Sequence, residues 1–309
     1  MSAENFWDRE VAAPTHTSWM EHPRVREYIL QSISGSVEGL WPVDWFMRQT
    51  GSRRFGRALS IGCGTGPFER DVIRKNLADR VDAFDGSTNS LRVAHETARA
   101  EGMSSRLRYF AADFNEPFLP PRTYDIVFIH QALHHVAKLE KLLRSVLLSL
   151  KRGGVLYLDE YIGPSRSDWN DALIASQRSF FNRLPDAARR LGALPLPIQE
   201  DDPSEAIRSS EIIGQLGIGF DVREFRGYGG NLLSVLYPAV DFERTPIDKV
   251  IEEEQRMLGA GERSFYAVIV ATPKRGPRKL VASCRYFTEP KLKRIRRELS
   301  ARMPRKAKR

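Results

Sequence analysis

The chain has 309 residues, 28% charged and 41% hydrophobic, with a formal net charge of +9 at pH 7. This suits a soluble enzyme of one large domain, or one domain with additions, and no apolar run approaches the roughly 18 residues of a membrane span. Two cysteines, Cys63 and Cys284, cannot build a disulfide framework or a cysteine zinc site, and no metal is expected.

The N-terminus, Met-Ser-Ala-Glu-Asn-Phe-Trp-Asp, lacks the basic and apolar regions of a signal peptide, which points to a cytoplasmic protein. Trp7, Trp19, Trp41 and Trp45, four of the five tryptophans, crowd this end together with Phe6, Tyr28 and Phe46. Residues 1–57 are therefore expected to form a helical cap, either over the mouth of a sheet or packed plainly on its core. Ala58 to Ile61 then reads as the end of a buried strand, followed by Gly62-Cys63-Gly64-Thr65-Gly66. Such a turn lets the backbone approach a ligand and adopt positive φ. Pro67 opens a helix through Phe68, Val72 and Leu77, whose N-terminus presents free N–H groups. Pro67 stands where a dinucleotide fingerprint needs its third glycine, which disfavours NAD.

A second strand, Arg80 to Asp85, ends in an acid nineteen residues beyond Gly66, close to the roughly 20-residue offset at which an acid meets a ribose diol. Ser87 caps a helix with Leu91, Ala94 and Ala98 on one face, closed by Gly102. A third strand covers Leu107 to Ala112 and leads into Asp113-Phe114. The fourth, Tyr124 to His130, is apolar without alternation, as a strand covered on both faces should be. Leu139, Leu142, Leu143, Val146, Leu147 and Leu150 mark an amphipathic helix, with Lys151-Arg152 in its last turn and Gly153-Gly154 ending it. Val155 to Asp159 is the fifth strand, Phe220 to Arg226 the sixth and Ser264 to Thr272 the seventh. Asp202-Pro-Ser-Glu205 reads as a helix start in which Glu205 serves as a cap. The remaining segments, about 164–214 and 229–262 (with helices near 231–240 and 247–258), are helical insertions after strands five and six.

The run from Ala58 to Gly163 resembles the class I S-adenosylmethionine-dependent methyltransferases of the small-molecule type. The resemblance rests on Gly62-Cys-Gly-Thr-Gly66, Asp85-Gly86-Ser87, Ala112-Asp-Phe114, Asp125-Ile-Val-Phe-Ile-His130, Leu133-His-His135 and Leu150-Lys-Arg-Gly-Gly154. It implies an α/β, Rossmann-like seven-stranded sheet with helices on both faces, spanning 58–273, in which the last two strands form an antiparallel pair. It also implies S-adenosyl-L-methionine as cofactor. Gly62, Cys63, Gly64, Thr65 and Gly66 would surround its methionine end, Asp85 with Gly86 and Ser87 its ribose, and Asp113 with Phe114 its adenine. His130 would lie near the reactive methyl group. One departure stands out: Ser60 occupies the position at which the family usually carries an acid.

A sulfonium methyl needs an in-line nucleophile, and a hydroxyl acceptor needs a base. His130, His134 and His135 are three of six histidines, clustered just past the fourth strand. His130 or His134 is expected to face the cleft, His135 to pin the following helix, and Glu160 with Tyr161 to compete as base or substrate-orienting groups. No Asn/Asp-Pro-Pro-Tyr/Phe follows strand four, since His130-Gln-Ala-Leu stands there, which disfavours base methylation of DNA or RNA. The acceptor is then a small molecule, a sugar or a lipid-linked group. The alternatives are a non-catalytic S-adenosylmethionine-binding or scaffold protein, and an RNA-associated methyltransferase.

The positive charge is localised. Residues 274–309 hold fifteen Lys or Arg against Glu289 and Glu298, so the remaining chain carries a small negative net charge. Within this basic tail, Leu292, Ile295, Leu299 and Met303 fall on one stripe of a helix over 288–303, the pattern of a peripheral contact with an anionic membrane. A solvated tail and a nucleic-acid contact are the other readings. Oligomeric state is not legible.

Overall fold

The computed structural model describes residue 8 and residues 18–37, 41–275 and 285–286. The sheet-forming strands are β1 (Phe55–Ile61), β2 (Ala78–Asp85), β3 (Leu107–Ala111), β4 (Tyr124–His130), β5 (Leu150–Tyr161), β6 (Phe220–Gly227) and β7 (Tyr266–Pro273). Their order is β3-β2-β1-β4-β5-β7-β6. β1 to β5 run parallel, and β7 lies antiparallel to both β5 and β6. The strand order reverses between β1 and β4, which opens a crevice at their carboxyl ends, where an open α/β sheet takes its ligand.

The helices are α1 (Pro23–Ser34), α2 (Pro42–Gln49), α3 (Pro67–Arg74), α4 (Thr88–Ala100), α5 (Leu139–Ser149), α6 (Ala175–Arg183), α7 (Ile212–Gly219), α8 (Leu233–Leu236) and α9 (Ile247–Gly259). They divide between the two faces of the sheet. Ile126 and Phe128 of β4 join a core with α1 to α4, α8 and α9, while Val127 and Ile129 join one with α5 and α7. The uniformly apolar β4 thus serves both faces, and the α5 stripe Leu139, Leu142, Leu143, Val146 and Leu147 is fully buried. Each such leucine contributes roughly 1.5–3 kcal/mol of burial.

Several boundaries differ from expectation. β1 already begins at Phe55, inside the segment assigned to the cap. α3 stops at Arg74, leaving Leu77 buried just beyond it. α5 ends at Ser149, so Lys151 and Arg152 are not in its last turn and Gly153-Gly154 do not end it. Leu150 pairs with Tyr124 instead, and Ile126 pairs next with Val155, so 151–154 form an irregular excursion within β5. Lys151 Nζ donates to Asp125 Oδ2 of neighbouring β4 at 3.0 Å. No helix starts at Asp202: its Oδ1 accepts from Ser204 N and Oγ, which makes a local turn, and regular helix resumes only at α7. The helix expected near 231–240 shrinks to the single turn of α8.

The N-terminal aromatics divide between the two expected roles. Phe46 packs on Phe55 and Tyr157 in the sheet core, and the Trp45 ring carries Arg226 of β6 at 5.5 Å. Trp19 instead reaches the carboxyl end of β5, 5.2 Å from Tyr266, which lies 5.1 Å from Tyr161 and 5.8 Å from Tyr228. Phe6 and Trp7 lie outside the described residues, as do Cys284 and 288–303. Of the basic tail, Tyr286 is buried, with its hydroxyl accepting from Gly219 N at 3.2 Å and donating to Gln215 O at 2.6 Å. Among the described residues no helix is long and apolar enough to cross a membrane.

Candidate active site

The glycine turn after β1 has the conformation its residues allow. Gly62, Gly64 and Gly66 have φ of 74°, 51° and 76°. A side chain at Gly62 would place Cβ 2.2 Å from Ala132 Cβ, and one at Gly66 would meet Tyr109 Oη at 2.5 Å, so both positions are closed to other residues. At Gly64 and Gly86 a Cβ meets nothing within 4 Å, which marks the open side of the turn. Cys63 is buried there, its thiol pushed up by burial. Arg70 Nη1 holds Thr65 O at 2.7 Å, and Pro67 starts α3 with no side chain capping its first turn.

Asp85 stands at the end of β2, beside that open side. Its Oδ2 accepts from Gly64 N and its Oδ1 from Ser87 N, each at 2.8 Å. The carboxylate keeps acceptor capacity for a diol. Burial raises its pKa, while the amides of Ser87, Gly64 and Gly86 counter this. Ser87 caps α4 through Ser90 N, and its hydroxyl donates to Asp8 at 2.6 Å, so the N-terminal segment does touch this end of the sheet. Asp113 is exposed and accepts from Asn115 N at 2.7 Å, and Phe114 packs 5.7 Å from Phe84. An open backbone turn, an acid for a ribose and a partly buried ring beside it fit S-adenosylmethionine.

The missing acid at Ser60 is replaced from elsewhere. Ser60 Oγ donates to Glu69 Oε1 at 2.5 Å, and both side chains are buried beneath the turn. Burial raises the Glu69 pKa to about 7, against the Ser60 hydrogen bond that lowers it. Glu69 was not foreseen: as the third residue of a helix it reads as an exposed cap, and only the packing of α3 onto β1 turns it inward.

The other half of the site lies at the ends of β4 and β5. His130 is about two-fifths exposed, its Nε2 is 3.5 Å from Asp159 Oδ2, and its ring stacks on Phe68 at 5.2 Å. Asp159 is buried and accepts from Tyr228 Oη at 2.7 Å, and Gln131 Nε2 donates to that same hydroxyl at 3.2 Å. Burial raises the Asp159 pKa, while His130 and Tyr228 lower it. Asp159 and Tyr228, hidden in the sequence as a strand end and a loop aromatic, thus form a chain behind His130.

His134 and Glu160 are buried. Glu160 is fully buried and accepts from Ala132 N at 3.0 Å, Leu133 N at 2.7 Å, Tyr161 N at 2.8 Å and His134 Nδ1. Four donors consume the carboxylate, so here it shapes the turn after β4 instead of acting as a base. Burial alone would lower His134, but Glu160 and then Glu205 outweigh it and raise its pKa to about 10. His135 is lowered to about 4 by burial and by neighbouring His134. His135 Nδ1 contacts Ser204 Oγ at 3.1 Å, which ties the turn to the 164–214 insertion and does not merely pin α5.

Residues 59–158 match the methyltransferase domain family. The ubiquinone/menaquinone biosynthesis C-methyltransferase UbiE of Azotobacter vinelandii is 29% identical over 136 residues, covering 44% of this chain and 53% of that protein. The sterol 24-C-methyltransferase erg6 of Aspergillus fumigatus is 26% identical over 118 residues, 38% of this chain and 31% of that protein. The chain therefore spans about half or less of the length of these curated relatives. The crystal structure of the [4+2]-cyclase SpnF shares the fold, with a TM-score of 0.52 at 17% identity over 89% of this chain and 98% of that one. Glycine turn, strand-end acids, sheet order and matched domain agree: residues 59–158 are a methyltransferase domain, set in the sheet of the class I S-adenosylmethionine-dependent fold.

Proposed function

We propose that the protein transfers a methyl group to a small-molecule acceptor, a sugar or lipid-linked group included, with His130 as the general base. The observation that carries this reading is the His130–Asp159–Tyr228 chain, which places a partly exposed imidazole against a buried carboxylate at the β4 end of the crevice. S-adenosylmethionine supplies an electrophilic sulfonium methyl. The chain's own residues then orient and deprotonate the acceptor. Asp159 holds the His130 ring and stabilises the imidazolium that forms when the ring accepts the acceptor's proton. Phe68 holds the ring's plane, and the aromatic cluster of Trp19, Tyr161, Tyr228 and Tyr266 supports the β5 side of the crevice and limits water there.

The test is methyl transfer from labelled S-adenosylmethionine to a metabolite pool by wild type and His130→Gln. Turnover should fall roughly 10²–10⁴-fold in the variant, with affinity for demethylated cofactor nearly unchanged. Full activity in His130→Gln would overturn the assignment of the base. Cofactor binding without transfer to any pool would favour a binding-only protein.

A further inference from the structure

We propose that His134, His135 and Glu205 form a binding site for one divalent transition-metal ion, of which zinc fits best. The nitrogens and carboxylate oxygens these three side chains can offer all lie within 4.8 Å of one another. Glu205 Oε2 is 3.6 Å from His134 Nε2 and 3.8 Å from His135 Nε2. Bonds of about 2.0–2.1 Å to a tetrahedral ion put ligand atoms roughly 3.3–3.4 Å apart, so small ring rotations close the set.

The second observation is how the far side of each imidazole is held. His134 Nδ1 donates to Glu160, a fully buried carboxylate. The Ser204 hydroxyl gives its one proton to Asp202 Oδ1 at 2.7 Å, so its oxygen accepts from His135 Nδ1. Both rings thus carry a proton on Nδ1 and turn Nε2 towards Glu205, and a metal ion would take the place of the second proton that His134 holds between Glu160 and Glu205. A ligating histidine is commonly held in this way, with its other nitrogen donating to a carboxylate or another fixed acceptor. Asp202 is fully buried, and its Oδ2 lies 3.6 Å from His135 Nδ1 with no hydrogen-bond partner among the described residues.

Charge points the same way. Glu160, Asp202 and Glu205 bring three carboxylates to two imidazoles, and Arg166 lies beside them, donating to Asp202 O at 2.8 Å. Two imidazoles and one carboxylate suit zinc-like ions over magnesium or calcium. Glu205 is about one-third exposed, so a coordination position stays open to water or an acceptor oxygen. This site extends the methyl-transfer reading without resting on it.

The test uses the full chain, stripped with chelator and titrated with Co²⁺, then with Zn²⁺ in competition. One Co²⁺ per chain should bind, giving the visible absorption of a low-symmetry nitrogen–oxygen site, and Zn²⁺ should displace it. His135→Ala and Glu205→Gln should each weaken binding at least about 100-fold, and Glu160→Gln roughly 10–100-fold. Demethylated-cofactor affinity, read by calorimetry, reports that the variants are folded. Glu205→Gln, at a partly exposed position, serves where a histidine variant does not fold. Absence of stoichiometric binding, or equal binding in wild type and Glu205→Gln, would overturn the site, and either result leaves the methyl-transfer test intact.

Discussion

The two ends of the crevice are built differently. At the β1–β2 end, the groups that fit a cofactor are backbone amides and one strand-end acid, held by partners within about two dozen residues: Gly64 by Asp85, Asp85 by Ser87. At the β4–β5 end two side chains are held from 69 residues along the chain: Asp159 by Tyr228 and His135 by Ser204. The first end is generic to a cofactor shared by many acceptors. The second is assembled from insertions, and insertions are where an acceptor is chosen.

That difference is open to test, and the largest effect falls on the inserted layer. Glu254 is fully buried and accepts from Gly230 N and Leu232 N at 2.9 Å and Leu233 N at 2.8 Å, fastening the 229–262 insertion. Glu254→Ala strands three buried amides and should cost about 4 kcal/mol in chemical denaturation. A loss below about 1 kcal/mol would show that the insertion does not depend on this carboxylate.

The next effect is a pH dependence beneath the glycine turn. Burial raises Glu69 from the model-peptide 4.5 to about 7, so the folded protein binds a proton that the unfolded chain has released. Its contribution is complete below about pH 4.5 and is lost as pH rises through about 7, a change of about 3 kcal/mol. Glu69→Gln should flatten that slope in denaturation midpoints measured from pH 5 to 8. An unchanged slope would mean that Glu69 is ionised throughout.

Asp85→Ala should weaken S-adenosylmethionine by about 1–3 kcal/mol in calorimetry, since hydroxyls lose a charged partner, and should leave NAD unbound. Tight NAD binding would break the assignment of this end of the crevice. The smallest effect per residue concerns 288–303, which we propose contacts anionic membrane. Each basic residue should contribute about 1 kcal/mol at low salt. Removal of the chain after Thr272 also discards Tyr286, so joint changes of Lys291, Lys293, Arg294, Arg296, Arg297 and Arg302 to Gln are the cleaner probe. They should abolish co-sedimentation with phosphatidylglycerol vesicles. A shift of RNA in a gel without vesicle binding would assign these charges to nucleic acid.

Much of the fold was legible in the residues themselves. All seven strands were located in the sequence, most clearly β4, whose burial on both faces leaves an uninterrupted apolar run, and the positive-φ glycines of the turn have no substitute. The cofactor end was legible for the same reason: its groups are local, and local backbone chemistry is written in local sequence. Tertiary structure alone decided the rest. Ser60 shows that an acid is missing, but only the packing of α3 on β1 supplies Glu69 in its place. Glu205 has the sequence of a helix cap, yet its turn carries it to two histidines some seventy residues away. His130, His134 and Glu160 were indistinguishable as bases until burial separated them, leaving His130 partly exposed and locking the other two together. Side-chain chemistry is carried by residue identity, but exposure and partnership depend on contacts that no local pattern encodes.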